Sequence, residues 1–154
     1  MKRLLLAVIL FPGLLFAAEQ ESPVITNLRI KARQGLAGAQ HNLAEMYANG
    51  YGVPKDLVEA AGWYIKSAAQ GYGEAEFSLG LVYLKGAGVP RDEVEGLAWI
   101  MIAAQPGNVT LVRFREKLEL QLGPKTVLAA QQRSKELTAE IEARKRAKAK
   151  AADQ

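Results

Sequence analysis

Cysteine is absent from the chain and histidine occurs once, as His41. Without cysteine there can be no disulfide scaffold, no thiolate-held zinc and no thiol nucleophile. A single histidine leaves no His-rich metal site and makes a His-dependent catalytic triad implausible. Aromatic residues make up only 7% of the chain, and none is interleaved with the clustered cations near its end, as a nucleic-acid surface would require. A P-loop, a dinucleotide fingerprint and a nucleophile elbow are also missing. No catalytic residue, no metal ligand, no cofactor and no nucleic-acid partner is expected. The 154 residues, 49% hydrophobic and 23% charged, suit one modest globular domain.

One long apolar run is present, from Leu4 to Phe16, preceded by Lys2 and Arg3 and followed by Ala17-Ala18 and the polar Glu19-Gln20-Glu21-Ser22. This order is that of a secretory signal. As a helix the run spans about 20 Å, short of the roughly 30 Å hydrocarbon core, and Pro12-Gly13 interrupts it. Residues 1–18 are expected to be cleaved after Ala18, giving a periplasmic or secreted chain with no transmembrane segment. The site is blurred because Phe16, and for a cut after Ala17 Leu15, is not small; an uncleaved anchor is the alternative. Loss of Lys2 and Arg3 leaves 18 basic against 16 acidic side chains, so much of the basicity belongs to the signal. The remainder crowds into Arg144-Lys145-Arg146-Ala147-Lys148-Ala149-Lys150. Residues 144–154 are expected to be a disordered basic tail, solvated or loosely held by an anionic envelope surface.

The middle of the chain is duplicated. Residues 34–69 and 70–105 align without a gap, identical at fourteen of thirty-six positions. The matched pairs include Leu43/Leu79, Tyr47/Tyr83, Gly50/Gly86, Gly52/Gly88, Asp56/Asp92 and Trp63/Trp99. A period of this size marks a solenoid. Ala39, Leu43, Met46 and Tyr47 form an amphipathic stripe, and Gly50 and Gly52 stop that helix where left-handed backbone is needed. A second helix opens at Asp56, and in the copy at Asp92. Each Asp is expected to cap exposed amides while Glu59 or Glu95 reaches back to it as a capping box. Trp63 and Trp99 are expected to fill the space between helices.

The runs Ala39-Gln-x-x-Leu43-x-x-x-Tyr47-x-x-Gly50-x-Gly52-Val53-Pro54-x-Asp56-x-x-x-Ala60-x-x-Trp63-Tyr64-x-x-x-Ala68-Ala69 and Ala75 to Ala104 resemble Sel1-like repeats, relatives of tetratricopeptide repeats. The resemblance implies an all-α, right-handed α-solenoid of helix-turn-helix units. Two units leave both ends of their core open. Residues 19–33 are expected to pack as a helix on the first repeat. Residues 106–143 are expected to close the second as a helical hairpin split at Leu122-Gly123-Pro124, with Leu111, Phe114, Leu118, Val127, Leu128, Gln131, Leu137 and Ile141 on its apolar stripes. A dimerising coiled coil is the alternative, and the oligomeric state stays open.

The resemblance further implies a non-enzymatic module that binds a protein or peptide of the cell envelope along a concave face lined by the first helix of each unit. Carried over through the shared Leu-x-x-x-Tyr spacing, that face comprises His41, Glu45 and Asn49 of the first unit, with Glu74, Phe77, Leu81, Leu84 and Lys85 of the second. Two questions stay open: whether His41 is merely solvated, and whether flanking helices cover Phe77, Leu81 and Leu84. Related chains also serve as immunity or inhibitor proteins against toxins or cell-wall enzymes. Some cysteine-rich members are linked to β-lactam binding or hydrolysis. This chain lacks their cysteines and any Ser-x-x-Lys, since Ser67, Ser78 and Ser134 precede Gln70, Leu81 and Leu137 by three residues.

Overall fold

The computed structural model describes residues 22–104 and 107–153, and among these every regular element is a helix. The signal segment expected at 1–18, with its cleavage point, lies outside the described residues. The elements are α1 (Pro23–Arg33), α2 (Ala37–Asn49), α3 (Leu57–Ala68), α4 (Gly73–Lys85), α5 (Glu93–Ala103) and α6 (Val109–Ala152). Each of the first five packs on its successor, and α6 packs on α5, so the chain is an α-solenoid built from consecutive helices.

The duplicated residues form duplicated structure. Helices α2 and α4 end on Gly50 (φ 76°) and Gly86 (φ 68°), which adopt the left-handed conformation that a side chain disfavours. Helices α3 and α5 begin at Asp56 and Asp92. The Asp56 Oδ1 accepts from the amides of Val58 and Glu59 at 2.9 and 3.0 Å, and the Asp92 Oδ1 from that of Glu95 at 2.9 Å. The reciprocal half of the expected capping box does not form. The Asp56 and Asp92 amides donate instead to the carbonyls of Tyr47 and Tyr83, tying each second helix to the end of the first and leaving Glu59 and Glu95 available for other partners.

Helix α1 occupies the place of a second repeat helix although its sequence hardly matches one. Its buried Ile25 and Ala32 stand where α3 buries Ala61 and Ala68. The amides of Gly35 and Gly71 close the two helix ends on Ala32 and Ala68, at positive φ of 88° and 78°. Ser22 caps α1 by accepting from the Val24 amide, and Pro23 suits the first turn, where a missing N–H costs nothing.

The core is centred on Leu43, Leu79, Leu97 and Ile100, all at 1% exposure or less. Ala44 and Ala60 of the first unit become Gly80 and Gly96 in the second, which lets α4 and α5 approach more closely. A Cβ on Gly80 would stand 2.5 Å from Ile100 Cγ1, and one on Gly96 2.8 Å from Leu84 Cγ. Helix α5 buries Gly96, Leu97, Ala98, Trp99, Ile100 and Ala103, apolar around most of its circumference, and α6 covers it.

Helix α6 starts at Asn108, whose side chain accepts from the Leu111 amide, and breaks at Gly123 (φ 79°, ψ 168°) before Pro124. The limb before the break brings Phe114 edge-on to Phe77 of α4, with ring centroids 5.6 Å apart. The limb after it meets Glu95 at the start of α5 through Arg133 and reaches Gly71, at the start of α4, through Ile141. Its buried residues are Ala130, Leu137 and Ile141. Leu128 and Gln131, expected on this stripe, are exposed. Helix also continues to Ala152 in place of the disordered tail expected from 144 onward, with Arg144 to Lys150 exposed along it.

One buried carboxyl follows from the imperfect duplication. In the first unit Gln40 donates from Nε2 to the Ala32 carbonyl at 3.0 Å, closing the end of α1. The matching residue in the second unit is Glu76, 6% exposed. Burial raises its pKa above the usual carboxylate value, and the nearby Lys145 ammonium offsets this only in part. An acid whose pKa is raised by folding costs stability as pH rises from its unfolded value through the raised one. Glu76→Gln is therefore expected to raise the melting temperature at pH 7, where the amide can donate to the Ala68 carbonyl as Gln40 does to Ala32. The advantage should vanish below about pH 4.5, the ordinary value for this group. Paired thermal melts at pH 4 and pH 7 check both halves.

Candidate functional site: a tyrosine-flanked acidic cleft between α2 and α4

Residues at i, i+4 and i+8 share one helix face, and α2 uses that spacing to present His41, Glu45 and Asn49. Helix α4 opposes them with Glu74 from its first turn. His41, only 9% exposed, lies between the rings of Tyr64 and Tyr72, with centroids at 5.8 and 5.5 Å. The Tyr64 hydroxyl donates a very short hydrogen bond to the Glu45 carboxylate, whose other oxygen accepts from Asn49 Nδ2 at 3.1 Å. The Tyr72 hydroxyl donates to Glu74 at 3.1 Å. Both carboxylates stand 3.8 Å from a ring nitrogen of His41, Glu45 at Nε2 and Glu74 at Nδ1.

A cleft of about 640 Å³ opens beside this cluster, walled by His41, Glu45, Glu74 and Phe77 on one side and by Asn108 and Leu111 from the start of α6 on the other. Burial, and then the bond to Glu45, push the Tyr64 phenol far above its ordinary range. It therefore stays protonated and acts as a donor rather than as a base or nucleophile. The Tyr72 phenol is raised chiefly by its bond to Glu74. Tyr64 thus anchors Glu45, Tyr72 bonds the exposed Glu74, and the cleft presents two carboxylates beside the rings of His41 and Phe77. Among the described residues no group of three His, Asp or Glu side chains is placed to hold a metal ion. What the arrangement can do is accept hydrogen bonds from a cation, with Phe77 and Leu111 taking its apolar stem.

The structure brings together only part of the set expected on the concave face. His41, Glu45, Glu74 and Phe77 share the cleft, and Asn49 supports Glu45 from outside it. His41 is buried rather than solvated. Phe77 shows one side to the cleft and lays the other against Phe114. Leu84 belongs to the α4–α5 contact over Gly96 and not to an open face. Leu81 is half-buried and Lys85 exposed at the helix end, both outside the cleft lining. Trp99 is buried and donates from Nε1 to Glu95 at 3.1 Å, while Trp63 stays half-buried with Lys66 Nζ 4.0 Å above its ring. Tyr64, Tyr72, Asn108 and Leu111 were not placed at this site by sequence.

Residues 37–72 and 73–107 each match the family model of the Sel1 repeat. Among solved structures, the protective antigen c5321 of uropathogenic Escherichia coli, described as having an SLR fold, is 33% identical with a TM-score of 0.71 over 76% of this chain and 25% of its own. The chain thus spans about a quarter of that protein's length. A Sel1 repeat protein from Oxalobacter formigenes is 39% identical with a TM-score of 0.58, over 60% of this chain and 70% of its own. No curated protein matches the sequence. With two repeat matches, the shared helical architecture and the glycine and aspartate caps all in agreement, the chain belongs to the Sel1 repeat family.

Proposed function

We propose that this chain is a non-catalytic scaffold of the bacterial cell envelope that holds a protein partner at the His41 cleft by a basic side chain. Sel1 repeat proteins are in general protein-interaction modules. The observation that carries the finer reading is the pair of carboxylates, Glu45 and Glu74, held by Tyr64 and Tyr72 on either side of a buried imidazole. Glu45, held through both oxygens, loses little entropy on binding, and a planar guanidinium can bridge it to Glu74. Phe77 and Leu111 give the partner's chain an apolar rest. The envelope location is supported by the basic, apolar and small-residue succession of residues 2–18.

Glu74 is exposed and its replacement leaves the core untouched, so Glu74→Lys tests the site without testing the fold. In pull-downs from envelope extract read by mass spectrometry, a partner held by the wild type is expected to fall at least tenfold with Glu74→Lys and to weaken as salt rises. Equal recovery by both chains, with matching thermal melts, would remove the cleft from the reading.

A further inference from the structure

Because the two units are copies, a surface used in one has a counterpart in the other. In the second unit Leu79, Tyr83, Glu95 and Trp99, with Ile65 of α3 and Ala69 just past its end, form a groove into which α6 lays its later limb. Arg133 donates from Nε to Glu95 at 2.8 Å, and Leu137 and Ile141 are buried at 4% and 5% exposure. A space of only about 190 Å³ is left.

Thirty-six residues earlier stand Leu43, Tyr47, Glu59 and Trp63, with Arg29 and Arg33 of α1 at the places of Ile65 and Ala69. These residues line the same groove on the first unit, and no element of the described chain fills it. Its volume is about 480 Å³. Glu59 has no ion-pair partner among the described residues, whereas its copy Glu95 accepts from both Trp99 and Arg133. The exchange of Ile65 and Ala69 for two arginines, one stacked 5.7 Å over Tyr47, turns an apolar rim into a cationic one.

We propose that the groove on α1, α2 and α3 is a docking site for an amphipathic helix of a protein partner, bound as α6 is bound to the second unit. That helix presents an arginine to Glu59, aliphatic residues four and eight positions later over Leu43 and Tyr47, and a carboxylate to Arg33 at the place of Arg144. The occupant is defined by the groove's own copy: α6 supplies the spacing, and the arginine pair supplies the change of charge. A second copy of this chain fits less well, because its corresponding limb is already seated and carries Arg144 where an acid is required. The inference shares with the proposed function only the premise that the chain binds proteins, and it uses none of the residues of the His41 cleft.

The probe is a labelled peptide with the sequence of residues 127–147 carrying Arg144→Glu, titrated with the full chain and followed by fluorescence anisotropy. Saturable binding is expected, weakened at least tenfold by Glu59→Lys and recovered when the peptide also carries Arg133→Glu. Glu74→Lys should leave it unchanged, which separates this site from the His41 cleft. The cysteine-free chain permits one photo-crosslinker at Lys55→Cys, on the groove rim, and mass spectrometry then names the occupant. A crosslink to the peptide supports the proposal. No binding, binding indifferent to Glu59, or binding lost only with Glu95→Lys, which signals exchange with the chain's own α6, would overturn it. A crosslink to a second copy or to residues 1–21 would also overturn it, by identifying a different occupant.

Discussion

A chain ending at Gly107 is expected to lose its cooperative melt and to bind hydrophobic dyes while retaining helical far-ultraviolet dichroism. The reason lies in α5, whose Leu97, Ala98, Trp99 and Ile100 are all buried on a helix with almost no polar face. Helix α6 supplies the cover through Ala130, Leu137 and Ile141, and Arg133 satisfies Glu95 beside the Trp99 indole. Burial of Leu137 and Ile141 alone contributes about 2 kcal/mol each. A domain's whole margin is about 5–15 kcal/mol, and the truncation would also uncover the side chains of α5 beneath them. Loss of tertiary packing with helix retained is the signature of a molten state. Near-ultraviolet dichroism, dye binding and calorimetry on the truncated chain make the measurement. A monomer with a sharp transition would show that the two repeats close their own core.

Gly88→Ala is expected to cost more than 3 kcal/mol, read from urea midpoints. Gly88 has φ 84°, where a side chain costs about 1–2 kcal/mol, and its Cβ would stand 2.0 Å from the Leu57 carbonyl oxygen. That oxygen belongs to the backbone of the first turn of α3 and cannot swing aside as a side chain would. The second repeat's turn would have to lift off the first repeat. Gly86→Ala is the control, with a comparable φ of 68° but a nearest contact of 3.2 Å to the Cβ of Arg91. It should lose about 1–2 kcal/mol, chiefly the backbone strain, with only a slight shift of Arg91 needed. Equal losses at the two positions would mean that strain, and not contact between turn and helix, fixes the glycine at 88.

The contrast between these glycines also shows what could be read from the sequence. The turn glycines, the Asp56 and Asp92 caps and the buried leucines are local features present twice, and duplication turns weak local signals into strong ones. The chain break at Gly123-Pro124 was legible for the same local reason. What lay across the fold was not. The side on which α6 packs depends on the backbone at Gly123, so Ala130 is buried where Leu128 and Gln131 were expected to be. The family resemblance, carried over through the Leu-x-x-x-Tyr spacing, was enough to gather His41, Glu45 and Glu74. It could not show that Phe114 would cover one side of Phe77, or that the Gly80 and Gly96 approach would draw Leu84 onto α5. The capping-box reading of Glu59 and Glu95 failed because the carbonyls of Tyr47 and Tyr83, across the turn, took the amides that those carboxylates would have bound.

The joint between α1 and α2 uses the same parts as the joint between α3 and α4. Ala32 and Ala68 are both fully buried, Gly35 and Gly71 both take positive φ, and Gln34 and Gln70 stand beside them. A standard joint makes the unit heritable in whole numbers. Unequal recombination between the two copies would insert a complete thirty-six-residue module and rejoin chain at a junction that already fits, while α6 would still meet the same α5. Length can therefore vary between descendants of this gene without any new packing problem being solved, whereas any gain downstream of α5 would first have to displace α6 from the groove it fills.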